Sequence, residues 1–379
     1  MSIFTRYLLS ELLRIFGLAV IALTFLLAIG LGAREGLNRG MPPTLIFRML
    51  PYMLPEILGI TTPIAVLLAI SQTLGRVAGT NELTAIRSAG LSPMVVVRPA
   101  IVFAYFVSLF TVWSYDLAAT WGRSNVRRVV VAALEEIVYA KLKREKGYES
   151  EKFIIKTVAL DGKRLIRPTI TVQLDPSRPP AVLRADEAEV FTDLKAGSLT
   201  IICRKPVAEV GDARITLPDT FTQSIPLETP QPTLHRQWLS MAEIPAAVAQ
   251  LTDEMKQLQL YLSSAGASKD QRATWQTQIQ QLQTHIRQLQ TEPYLRWANG
   301  FSCLCFVLLG SPVSMYRRSE NFLMNFFVCF LPILIVYYPV LMVVKELTTS
   351  GAIPPAGYWA ANLSIAIPGA FLLYRYCEK

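Results

Sequence analysis

The sequence predicts an α-helical membrane protein: six transmembrane helices, three plus three, flanking an inserted antiparallel β domain and a helical hairpin. Three observations predict it. Apolar residues make up 52% of the chain and charged residues only 17%, which excludes a disordered protein. The apolar residues gather in six runs, each long enough for a bilayer core about 30 Å thick. The stretch between the third and fourth runs is polar, close to neutral, and changes its hydrophobic period twice. Most of the net charge of +9 therefore sits in the apolar blocks, which points to a membrane surface and not to nucleic acid.

The first run, 12–33, carries one charge, Arg14, near its start. A signal peptide is the alternative, but the apolar stretch is too long for one and five more follow. The second, 46–74, contains Pro51, Pro55 and Pro63, which spanning helices tolerate where neighbours satisfy the freed carbonyls. The third is 93–115, and after the polar middle come 295–313, 321–344 and 357–374. Between the apolar runs, one set of short segments holds Arg6, Arg14, Arg76, Arg87, Arg98, Arg317, Arg318, Arg375 and Lys379. The other set holds Arg34, Arg39, Arg48 and Lys345. The positive-inside rule then puts both termini in the cytoplasm and the large insert outside, which in a bacterium is the periplasm.

Residues 116–147 read as a helix leaving the third span and ending in Lys141, Lys143, Arg144 and Lys146. Runs rich in Val, Ile and Thr follow at 152–160, 164–174, 181–191, 198–204, 213–217 and 221–227. Asp161-Gly162, Asp175-Pro176 and Ala196-Gly197 punctuate them, which suits an antiparallel sandwich. Alternation offers Ile154, Val158, Ile170, Val172, Val190 and Ile201 as inward residues, lining either a groove or a sealed core. Then Val248, Leu251, Met255, Leu258 and Leu262, and again Trp275, Ile279, Leu282, Ile286 and Leu289, recur at three- and four-residue spacing. They predict a Gln-rich antiparallel helical hairpin over 247–292, with a turn at 263–270 where Ser268 and Gln271 fit a capping box. The hairpin packs on itself and the sandwich, or else receives a partner.

Several chemistries are missing from the sequence. It contains no GxxxxGK[ST], HExxH, GxSxG or paired-Cys metal signature. Cys203, Cys303, Cys305, Cys329 and Cys377 form no repeating spacing, and only His235 and His285 are present. No metal and no cofactor is expected, and the cysteines read as core filler. Glu56, inside the second run, is either functional or a structural partner beside Pro55.

The segment LPEILGITTPIAVLLAISQTLGRVAGTNELTAIRSAGLSP, 54–93, resembles the LptF/LptG permeases of the lipopolysaccharide-export transporter. Pro55, Pro63, Gly75-Arg76, Asn81-Glu82-Leu83 and Ala89-Gly90-Leu91-Ser92 carry the likeness. It continues at Arg6-Tyr7, in DGKRLIRPTITV and LRADEAEV, at Leu239-Ser240, in LLGSPVSMYRR, and at Trp359 with Asn362. The hairpin over 247–292 is longer than the family usually has.

The resemblance implies a periplasmic β-jellyroll-like domain at 116–238, beside the hairpin at 239–294. These lie between spans one to three (1–115) and spans four to six (295–379). It implies a heterodimer with a related LptF/LptG-type permease, a cytoplasmic LptB-type ATPase dimer, an LptC-like single-span protein and lipopolysaccharide as substrate. The chain itself is then a non-catalytic subunit of the inner membrane. A mechanotransmission subunit that moves a periplasmic domain without lipid transport, and a structural envelope anchor, are the competing classes.

Two sets of site residues follow. Loop 75–92 is the largest inner loop, and Thr80 or Asn81 is placed to cap a short helix. Leu83, Ile86 and Gly90 would share one face beside Glu82, a small apolar patch for a partner's groove. The family's ATPase-contacting helix carries a glutamate at the position matching Glu82. Arg76, Glu82, Leu83, Ile86, Arg87 and Gly90 are thus the expected coupling residues, against the alternative of a solvated loop charge. Arg34 and Arg39 follow the first span where lipid phosphates lie, as lipid ligands by resemblance or as ordinary snorkelling anchors.

Overall fold

The first apolar run is part of one 37-residue helix, α1 (Ile3–Arg39), which carries Arg34 and Arg39 as well. The fold is taken from a computed structural model that describes residues 3–39, 43–132, 139, 142, 147–149, 153–162, 164–172, 181–193, 198–210, 213–216, 218, 220–226, 239–263, 269–317 and 321–378. Among the described residues, six helices are long and apolar enough to cross a membrane: Ile3–Arg34, Thr44–Gly79, Met94–Val126, Thr274–Arg317, Leu323–Ser350 and Pro355–Glu378. The described residues divide into two compact units. Unit 1 holds Met1–Ala28, Met53–Arg123 and Thr233–Lys379, and unit 2 holds Ile29–Tyr52 and Ser124–Pro232.

In unit 1 from Met53 on, α2 (Pro43–Gly79) leads through a tight turn into α3 (Glu82–Ser88) and then α4 (Met94–Leu117). A π-helical turn, Ala118–Gly122, joins α4 to α5 (Arg123–Ala132), so the third run stays helical past its apolar end. The hairpin is α6 (Ile244–Ser263) and the start of α7 (Lys269–Arg317). Its second arm and the fourth span are one unbroken helix of 49 residues through Pro293, not two elements. The hairpin turn and the box formed by Ser268 lie outside the described residues. The predicted seam packs: Leu251, Ile286 and Leu289 are buried beside Val248, Met255 and Leu282. Next come α8 (Phe322–Pro332), a π-helical turn (Ile333–Tyr337), α9 (Tyr338–Ser350), a 3-10 turn (Pro355–Tyr358) and α10 (Trp359–Glu378).

The spans are unequally buried. The second, third and fourth bury 61%, 56% and 72% of their most apolar windows, and the first, fifth and sixth only 17%, 22% and 33%. Lipid is as apolar as a leucine side chain, so close backbone approach and buried polar contacts hold such a bundle. A Cβ on Gly369 of α10 would stand 2.7 Å from the Leu309 backbone nitrogen of α7. The amide of Asn325 donates to the Ser71 carbonyl at 2.6 Å, and that of Asn362 to the Ala298 carbonyl at 2.8 Å. Cys303 and Cys329 are buried in the apolar clusters of this unit, and Cys305 is buried as well.

Among its described residues unit 2 holds eleven short strands: β1 (Gly147–Glu149), β2 (Phe153–Lys156), β3 (Ala159–Asp161), β4 (Arg164–Ile166), β5 (Thr169–Val172), β6 (Ala181–Arg184), β7 (Glu187–Asp193), β8 (Ser198–Arg204), β9 (Val207–Val210), β10 (Ala213–Thr216) and β11 (Thr220–Pro226). They form two antiparallel sheets, ordered β1-β2-β5-β6-β9-β10 and β11-β8-β7-β4-β3. The runs expected as strands 152–160, 164–174 and 181–191 each break in the middle and change sheet. The run 198–204 does the same on continuing into β9, a strand not anticipated. Bends that switch strands between sheets make the corners of such sandwiches. Arg167 and Lys205 make two of the bends at φ 50, each before a proline. The corners bond to one another: the Arg167 amide donates to the Asp186 carbonyl at 2.9 Å, and the Asp186 amide to the Arg204 carbonyl at 3.2 Å. The Thr157 hydroxyl ties the first corner by donating to the Ile166 carbonyl at 3.0 Å.

Two further expectations are corrected here. Gly147, placed at the end of a helix, instead opens β1, which pairs with β2. The inward residue of β2 is Ile155, opposite Ile170, and not Ile154. Three consecutive apolar residues, Phe153 to Ile155, hide the strand's parity, and a one-residue slip reverses every face. Val158 is exposed at a corner. Ile170 and Ile201 lie in the core with Leu142, Leu165, Ala188 and Cys203, and the side chains of Val172 and Val190 lie outside those described.

Candidate functional site

Arg76 ends α2 and gathers the polar groups around it. Its Nε donates to Glu11 Oε1 at 2.7 Å and its Nη2 to Glu11 Oε2, a bidentate pair that reaches α1. Nη1 donates to Glu82 Oε1 at 2.9 Å, and Nη2 also to the Tyr7 hydroxyl at 2.7 Å. A guanidinium is planar and offers five N–H donors, so these contacts define one geometry for three helices. The Thr80 hydroxyl lies 3.1 Å from the same Glu82 oxygen.

The short helix α3 begins at this center. Asn81 precedes it in the left-handed region at φ 61 and makes no side-chain cap, contrary to the expected capping. The expected docking patch is corrected as well. Leu83 is 3% exposed and packs inward with Leu8, Leu12, Leu74 and Val97, and Ile86 packs against the same cluster. Two spans offer apolar side chains on that flank, so the apolar positions of α3 turn toward them. The outward face carries Thr84, Ala85 and Ser88, continued by the exposed Leu91. Gly90 ends the turn at φ 75, a left-handed conformation that suits glycine. Arg87 turns to α10: its Nη2 donates to the Tyr376 carbonyl at 3.1 Å, and the guanidinium lies 4.5 Å from the Tyr376 ring centroid.

Unit 1 holds a second ionic center. The Arg296 side chain of α7, 4% exposed, donates from Nη1 to Asp116 Oδ1 at 2.9 Å and from Nη2 to the Leu239 carbonyl at 2.9 Å. Glu292 stands 3.5 Å from its Nε, and the Met241 amide donates to Asp116 Oδ1 at 2.9 Å. Ser240 and Glu243 bond reciprocally, amide to side chain each way, and open α6. Glu56 is paired too: Arg123 Nη2 donates to its Oε1 at 2.7 Å, which gives it a structural partner.

Arg34 is exposed near the end of α1, and Arg39 is that helix's last residue. Five residues at about 100° each put their Cα atoms roughly 140° apart around the axis, so α1 does not present both on one face. Glu11, Tyr7 and Tyr376 were missed as site residues. The signal for Glu11 was available, since an acid at the threshold of an apolar run is a functional suspect. Nothing in the sequence indicates the α10 carbonyl that receives Arg87.

Among the described residues, six membrane-competent helices, a short helix held between the second and third, and an inserted pair of antiparallel sheets fit a multi-pass membrane protein. The family model described as lipopolysaccharide export system permease LptF/LptG matches residues 6–375. The chain belongs to that family, whose members are membrane permeases of lipopolysaccharide transport and are generally non-catalytic. No curated protein matches it.

Proposed function

We propose that the chain is a permease subunit of an ABC exporter that extracts lipopolysaccharide, or a related glycolipid, from the inner membrane. It passes the lipid to a periplasmic β-jellyroll bridge, and a separate cytoplasmic ATPase supplies the energy. Family membership over nearly the whole chain carries the reading. The absence of a P-loop from the sequence supports a separate ATPase. Both termini lie in the cytoplasm in this reading. The two corner-folded sheets are the periplasmic domain in this reading, an open jellyroll. The partners are a second LptF/LptG-type permease, an LptB-type ATPase dimer and an LptC-like single-span protein. The poorly buried first and fifth spans leave apolar faces for lipid and the second permease.

In this reading the ATPase meets α3 on Thr84, Ala85, Ser88 and Leu91, with Glu82 at the edge supplying a directional charge. Leu83, Ile86 and Arg87 anchor the helix from behind, and Gly90 shapes the turn. Arg34 faces lipid phosphates at the outer rim. The test is copurification of the ATPase from membranes carrying the full assembly. Glu82→Lys and Ala85→Arg should each lose the ATPase while inserting normally, since truncating an interfacial charge pair costs roughly 2–5 kcal/mol. Wild-type recovery of the ATPase with both variants would exclude this docking site. Glycolipid bound to the purified assembly separates export from mechanotransmission and from an anchor, neither of which carries lipid.

A further inference from the structure

The helix α3 is fastened to two of the three least buried spans, the first and the sixth. The first and sixth spans bury only 17% and 33% of their apolar windows. At its start, Glu82 shares the Arg76 guanidinium with Glu11 of α1. At its end, Arg87 holds the last turn of α10 through the Tyr376 carbonyl and ring. Between them Leu83 packs with Leu8 and Leu12 of α1 and with Leu373 of α10. A lone ion pair at the surface couples little, but a bidentate arginine shared by two carboxylates and a phenol is a network with one geometry.

We infer that Glu11, acting through Arg76, is a positioning residue that transmits displacement of α3 to the first span. The inference rests on the reading of α3 as the ATPase seat, and adds that the stroke passes sideways into α1 and not only along α2. Glu11 touches neither ATPase nor lipid in this scheme. Its side chain is 21% exposed and faces Arg76. Removing its charge leaves the outward face of α3 intact and weakens the tie between α1 and the moving element, leaving the Tyr7 hydroxyl as the main polar contact to α1. Arg76 then keeps Glu82 and Tyr7, so the docking helix itself stays held.

The test uses the complete assembly in proteoliposomes containing lipopolysaccharide. With Glu11→Gln, ATPase copurification and basal hydrolysis should match wild type. Lipid-stimulated hydrolysis and lipid extraction should fall about tenfold, the loss of one charge-assisted contact. Glu11→Asp, which keeps the charge, should restore most of both. Wild-type extraction by Glu11→Gln overturns the inference, and so does loss of the ATPase, which would make Glu11 part of docking. Tyr7→Phe removes a single hydrogen bond from the same arginine and decides the matter if Glu11→Gln does not fold. It should lower extraction about threefold with basal hydrolysis unchanged, and an unchanged extraction rate is the contrary result. If Ala85→Arg keeps the ATPase, the docking reading fails instead, whatever Glu11→Gln does.

Discussion

Unit 1 contains two arginine centers built from the same chemistry in different surroundings. Arg76 is about one-third exposed, and it joins α1, α2 and α3 through Glu11 and Glu82. Arg296 is nearly sealed, and it joins α7, the end of α4 and the segment before α6 through Asp116 and the Leu239 carbonyl. Solvent near Arg76 keeps alternative partners cheap, so its carboxylates can exchange when a neighbour brings another cation. Near Arg296 a lost partner leaves a charge unpaired in a low-dielectric surround. Exposure therefore separates a joint that can move from one that only holds.

The largest expected effect breaks the buried center. Arg296→Ala should cost roughly 3–5 kcal/mol of stability, read as earlier thermal unfolding in detergent. Glu11→Gln, at the half-open center, should cost about 1 kcal/mol or less. Equal losses would remove the distinction. Next in size, Gly369→Val forces a side chain onto the α7 backbone and should cost about 1–3 kcal/mol, with no change in ATPase binding. Ionic strength sharpens the contrast further. Between 0.1 and 1 M salt the Debye length falls from about 10 to about 3 Å. The deficit of Glu11→Gln in lipid-stimulated hydrolysis should shrink across that range, and the stability deficit of Arg296→Ala should persist. The smallest effect lies in unit 2. Burial pushes the Cys203 thiol up to about 11, so it stays protonated at pH 8. Iodoacetamide should label Cys203 only after unfolding, and rapid labelling of the folded protein would contradict its sealed core.

The spans were legible because a bilayer demands long apolar runs, and the hairpin because Leu251, Leu282 and Leu289 keep a helical period. The sheets were legible only as a set of β-rich runs. Three corners fall inside those runs, at Thr157, Arg167 and Asp186, and a fourth, Lys205, falls just past one, and no glycine marks a turn at any of them. Pro168 and Pro206 were the available cue for two of them. The second hairpin arm and the fourth span were read as separate elements because the sequence turns from polar to apolar between them, but the helix continues through Pro293. The helix α3 was legible as an element but not in its orientation. Its period places Leu83 on a face, and only the packing of α1 and α10 decides that this face turns inward.

We propose that ATP hydrolysed by a separate ATPase docked on α3 moves lipid out of the membrane. Extraction of lipopolysaccharide from proteoliposomes holding this chain, its partner permease and the ATPase tests it most directly, with wild type beside Glu82→Lys at matched protein content. The account predicts ATP-dependent release by wild type and none above the ATP-free background by Glu82→Lys. Equal release by both, or release that needs no ATP, would contradict it.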